Sequence, residues 1–96
     1  MGVKYNREYS HIVEDLSKAL EPIAGLHEFL SMEEAQWNEL THGDRLGCIR
    51  TLSDDIIYSL GNEPSADIGT GRIEYDKKRY VLKVIDGPKI TLVNLV

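Results

Sequence analysis

The sequence predicts an α+β fold, three to four N-terminal helices packed on a C-terminal three-stranded antiparallel meander. Three observations lead there. Up to about Leu60 the apolar residues recur at the spacing of amphipathic helices, from Gly71 onward they alternate or run together as in strands, and residues 61–70 between them are rich in Gly, Asn, Pro and Ser. The 96 residues suit one domain, with a helical part over about 6–60, a linker over 61–70 and a sheet over about 71–96. A domain of this size has little core to spare, so a second copy of the chain is an accessible source of further burial.

The first helix is marked by Tyr9, Ile12, Val13, Leu16, Ala19 and Leu20, which share one face, opposite Arg7, His11, Glu14 and Lys18. Asn6 is the expected N-cap. Pro22 ends the helix because its ring would clash with the carbonyl four residues back. Residues 22–30 then form a turn or short helix around Gly25, carrying Ile23, Leu26, Phe29 and Leu30. Ser31 and Glu34 have capping-box spacing, so a helix over about 32–40 is expected, anchored by Trp37 and Leu40. Thr41 and Asp44 cap the next helix, 43–60, whose Leu46, Cys48, Ile49, Leu52, Ile56, Ile57 and Leu60 cover about half its circumference. So broad an apolar surface makes it the expected centre of the fold, touched by the first helix and by the sheet. Gly61 and Pro64 stop it.

Three strands follow, 72–75, 79–85 and 89–96, joined by the turn sequences Asp76-Lys77-Lys78 and Asp86-Gly87-Pro88. Tyr80, Leu82 and Val84 are expected on one face. Val81 and Ile85 fall on the other, and the reading groups Val93 and Leu95 with them on an apolar back face that needs a lid.

Charge is unevenly distributed. Residues 1–65 hold five Lys and Arg against twelve Asp and Glu, a balance of −7, while residues 66–96 hold six against four, a balance of +2. Cys48 is the only cysteine, so no internal disulfide staples this small domain, and a reducing cytoplasm is the expected location. Residues 1–8 contain no apolar signal-peptide core and no run of 18 apolar residues occurs, so neither a secretory leader nor a membrane span is expected.

No catalytic constellation stands out. His27, His42 and Cys48 lack the spacing of metal ligands or of a Cys–His pair, and no cofactor or metal is expected. Asp54 and Asp55, like Glu33 and Glu34, are neighbours that point about 100° apart on a helix, which does not make an acid–base pair. Gly69-Thr70-Gly71 lacks the Lys-Ser/Thr of a phosphate loop and precedes a strand.

These features favour a non-catalytic protein–protein interaction module, a regulator or inhibitor with an acidic helical surface. Glu33, Glu34, Trp37, Glu39, Asp54 and Asp55 are the candidate contacts, and a partner with a basic surface is the complement. Val93 and Leu95 are the candidate residues for self-association, because the last strand is an edge guarded only by Lys89. The alternative is a winged-helix-like nucleic-acid binder with a basic hairpin at Lys77, Lys78 and Arg79, to which the net acidity is opposed.

Overall fold

A computed structural model describes residues 3–96. Among these residues four helices precede four strands: α1 Tyr9–Leu20, α2 Leu26–Phe29, α3 Glu34–Glu39, α4 His42–Leu60, then β1 Ser65–Ile68, β2 Gly71–Asp76, β3 Val81–Asp86 and β4 Lys89–Asn94. The strands form one antiparallel sheet in the order β1-β2-β3-β4. The α+β class with helices before the sheet agrees with the sequence reading. The strand count does not.

The additional strand is β1, inside the stretch expected to be a linker. Only Ile68 of its four residues is buried, so there was no alternation to read. The strand exists because β2 recruits it. Ser65 pairs with Glu74 and Ile68 with Gly71, and the Pro64 carbonyl accepts the Tyr75 amide at 2.8 Å. Gly69, at φ 54, makes the two-residue turn between them. That turn presses on the loop after α1. The Thr70 amide donates to the Ala24 carbonyl at 3.0 Å, and a Cβ on Gly69 would lie 2.1 Å from the same oxygen.

Helix starts shift by small amounts with clear causes. Asn6 is not the cap of α1. Its amide donates to the Leu95 carbonyl at 2.9 Å, which ties residues 3–8 to the end of β4, and the helix begins after Glu8. The Ser31 capping box is absent because Ser31 sits at φ 56; α3 starts at Glu34, and Gln36 Oε1 accepts the Glu33 amide at 3.1 Å in the same reciprocal manner. Thr41 caps α4 as expected, its Oγ1 accepting the Asp44 amide at 3.1 Å.

As expected, α4 touches both the first helix and the sheet; α1 is embedded beside it. It is flanked by α4 and by β4, and it buries Ile12, Leu16, Ser17, Ala19 and Leu20. Helix α4 meets α1 and the edge strand β1, and buries Ile49, Leu52, Ser53, Ile56, Ile57 and Leu60; Leu46 and Cys48 stay half-exposed on its open flank. Beneath the helices the sheet presents Ile68, Ile73, Tyr75, Leu82, Val84 and Val93, and Val3 and Leu95 close the core at its end.

The back face is also differently composed. Ile85 pairs with Ile90 and Lys83 with Leu92, so Ile90 and Leu92 share the face of Val81 and Ile85, whereas Val93 stands opposite Leu82 in the core. The two-residue turn Gly87-Pro88 sets this register, and a shift of one residue would invert every side chain of β4.

Candidate functional site

Two consecutive exposed positions of α4, Asp54 and Asp55, and Tyr58 one turn later, face the N-terminal segment as it approaches α1. That segment is held by backbone contacts at both ends. The Lys4 amide donates to the Tyr75 hydroxyl at 3.0 Å, and the Asn6 and Arg7 amides donate to the Leu95 carbonyl at 2.9 and 3.2 Å. Tyr5 is thereby set against Tyr9, with ring centroids 5.4 Å apart and planes inclined by 44°. Between these elements lies an open cleft of about 660 Å³, lined by Val3, Tyr5, Tyr9, Asp54, Asp55, Ile57, Tyr58 and Asn62. Its volume is in the range of ligand-binding clefts.

The Tyr9 hydroxyl donates to Asp54 Oδ1. Burial, and then the carboxylate at its hydroxyl, push the Tyr9 phenol well above the usual tyrosine range, so the ring stays neutral throughout the physiological range. Arg7, Arg50, Arg72 and Arg79 each lie within 4 Å of a carboxylate, but among the described residues no cation pairs with Asp54 or Asp55. The cleft therefore combines aromatic walls with two carboxylates lacking an ionic partner.

The other residues singled out from the sequence lie elsewhere. Trp37 is half-buried and lines a smaller groove with Glu21, His42, Arg45, Leu46 and Ile49, which shares no residue with the tyrosine cleft. In that groove His42 Nε2 contacts Glu21 Oε1 at 3.0 Å. Glu33 precedes α3 as its N-cap, and Glu34 and Glu39 are exposed on that helix. Of the six candidate contacts, Asp54 and Asp55 line the tyrosine cleft and Trp37 the smaller groove, while Glu33, Glu34 and Glu39 line neither. Val93 and Leu95 are 1% and 0% exposed, so neither side chain is available at a surface; this corrects the self-association residues, and the exposed pair on the same strand is Ile90 and Leu92.

Lys77, Lys78 and Arg79 are exposed in the turn between β2 and β3. Asp76 organises that turn, its Oδ1 accepting the Arg79 amide at 3.1 Å and the Lys78 amide at 3.0 Å. The Arg79 amide first, then the Lys78 amide and the charges of Lys83 and Arg79, hold the Asp76 carboxyl below its usual range. Among the described residues no group of three or more His, Cys, Asp or Glu side chains is arranged to hold a metal ion. Among the described residues no helix is long and apolar enough to cross a membrane.

The tyrosines were not singled out from the sequence, although all three are plain in it. Their significance depends on residues 5, 9 and 58 meeting in space. The chain matches no protein-family model, no curated protein and no solved structure.

Proposed function

We propose that the protein is a small, non-catalytic interaction module that pairs with a second copy of itself through the free edge of β4. One observation carries this reading: the residues whose backbone faces outward along that edge also expose apolar side chains on the back face. The Gly87-Pro88 loop closes on the Asp86–Lys89 pair, which in a two-residue hairpin exchanges both main-chain hydrogen bonds. By alternation, Ile90, Leu92 and Asn94 direct their amides and carbonyls away from β3. The Asn94 carbonyl accordingly accepts Arg7 Nη1 at 2.8 Å, while the Leu95 amide turns inward to the Tyr80 carbonyl at 2.9 Å. Ile90 and Leu92 are 59% and 57% exposed beside Val81 and Ile85.

A two-fold axis through Thr91 places Ile90 opposite Leu92 of the second copy, and the reverse, which satisfies the outward groups of both residues and joins the two apolar strips. It leaves the Arg7–Asn94 contact in place. The opposite edge, β1, is short and carries Asp67, as protected edges do. A cytoplasmic location belongs to the same proposal and rests on Cys48 as the only cysteine. The nucleic-acid reading has less support, because Asp76 offsets the basic turn and the exposed positions of α4 include Asp44, Asp54 and Asp55.

Sedimentation equilibrium tests the pairing. The wild type is expected to dimerise, and the Ile90→Lys, Leu92→Lys double variant to sediment as a monomer with its circular dichroism spectrum unchanged. A wild type that stays monomeric at millimolar concentration overturns the proposal.

A further inference from the structure

We infer that the cleft between residues 3–9 and the C-terminal half of α4 is a binding site for an arginine side chain presented by a basic segment of a partner protein. The inference is independent of the strand-edge pairing, since it concerns the helical side of the molecule and residues that β4 does not carry.

Charge complementarity is the first argument. Among the described residues, Asp55 is exposed in the cleft with no side-chain hydrogen bond and no cation beside it, and none of them is bonded to the second carboxylate oxygen of Asp54. Two other carboxylates of the helical part are matched by its own arginines, Asp15 by Arg7 and Glu14 by Arg50, both at 3.0 Å. In the cleft two adjacent carboxylates without an ionic partner stand beside aromatic rings.

The walls are the second argument. Tyr5 and Tyr58 are 46% and 80% exposed and both line the cleft, so their rings are open to a ligand. A neutral phenol ring attracts a cation to its face, and the raised Tyr9 value keeps that ring uncharged. The Tyr9–Asp54 hydrogen bond fixes both groups before anything binds, so little ordering cost falls on association.

The chemistry of the lining selects among cations. A hard metal ion needs several oxygen ligands converging at short distance. Here two adjacent helical carboxylates diverge, one of them is engaged by a phenol, and much of the remaining surface is aromatic or aliphatic. A planar guanidinium fits this lining better, because it stacks on an aromatic face while its edge donates two parallel hydrogen bonds to a carboxylate. An ammonium satisfies the charge alone.

Titration of the full chain by NMR provides the test, with three blocked pentapeptides as probes, carrying two arginines, two lysines or two glutamates. Saturating shifts centred on Tyr5, Tyr9, Asp55, Tyr58 and Asn62 are expected for the arginine peptide, weaker binding for lysine, and none for glutamate. Asp55→Asn should weaken the arginine peptide about tenfold, and Tyr58→Ala about threefold or more. Both positions are exposed, so both variants should keep the wild-type melting temperature and sedimentation behaviour. Shifts scattered over the sheet, equal affinity for the lysine peptide, or an Asp55→Asn variant that binds as tightly as wild type would each overturn the inference.

Discussion

Ser17 and Ser53 illustrate how much a single pair of hydroxyls can decide. They are 2% and 0% exposed where α1 crosses α4, and their Oγ atoms lie 3.1 Å apart. Ser17 Oγ also lies 2.7 Å from the Val13 carbonyl and Ser53 Oγ 2.8 Å from the Ile49 carbonyl. Two protons serve these three contacts, so only two can be hydrogen bonds at one time. Either single change to Ala should cost about 1 kcal/mol, while the double variant should cost less than the sum, because the shared Oγ–Oγ contact is already lost in each single variant. Urea denaturation of the four proteins of the cycle measures this. Tyr9 offers a second test at this scale. Burial and Asp54 push its phenol far above the free tyrosine value of about 10, so this ring should stay un-ionised where a free phenol titrates, until the chain unfolds. A raised folded value means that this contribution to stability is complete below the unfolded value of about 10 and is lost as pH rises toward the folded one. Spectrophotometric titration beside Tyr9→Phe, which should lack the late step, checks the assignment.

The elements stand or fall on a few contacts between them. Leu52 and Ile56 are buried on the face of α4, and changing either to Ala should cost about 2–5 kcal/mol, read as a lowered urea midpoint. Melting within a degree or two of wild type would mean that α4 is peripheral. The strand pair β1–β2 depends on Gly69 in a way that the turn at Gly87 does not depend on its glycine. Both have positive φ, 54 and 61, but Gly69 packs against the Ala24 carbonyl while nothing lies within 4 Å of a Cβ on Gly87. Gly87→Ala should thus cost only the left-handed backbone penalty of about 1–2 kcal/mol. Gly69→Ala should cost clearly more and loosen β1, visible as faster amide exchange at Ile73 and Tyr75. Equal costs for the two substitutions would remove the Ala24 contact from the account of β1.

For the whole molecule, acid should be the destabilising direction. Asp76 is held below its usual range by the turn amides, and Glu14 by the Arg50 guanidinium, so each contributes stability that is present above its unfolded value, about 4, and lost as pH falls through the lower folded one. Asp76→Asn should flatten the decline in urea midpoint below about pH 4. An unchanged acid limb would show that the turn is not coupled to global unfolding. Charge also separates the two association surfaces. Pairing through Ile90 and Leu92 should be nearly indifferent to salt, whereas binding in the Asp55 cleft should weaken as ionic strength rises.

By itself the sequence determined what depends on residues near one another in the chain. The helical spacing before Leu60, the stop at Pro22, the Thr41–Asp44 cap and the turn at Gly87 and Pro88 all express local stereochemistry, and each appears in the structure. The pairing of Ile85 with Ile90 was equally available from the length of that turn, and would have placed Val93 in the core. Tertiary structure alone decided the rest. Ser65–Ile68 is a strand only because β2 offers it an edge, and α1 is embedded because α4 and β4 close on its two sides. The cleft depends on the longest reach of all, since Tyr5 and Tyr9 meet Asp54, Asp55 and Tyr58 from the other end of the helical region. Side chains some fifty positions apart leave no periodic trace, because their meeting is set by the packing of α1 on α4 and not by the backbone preference of any one residue.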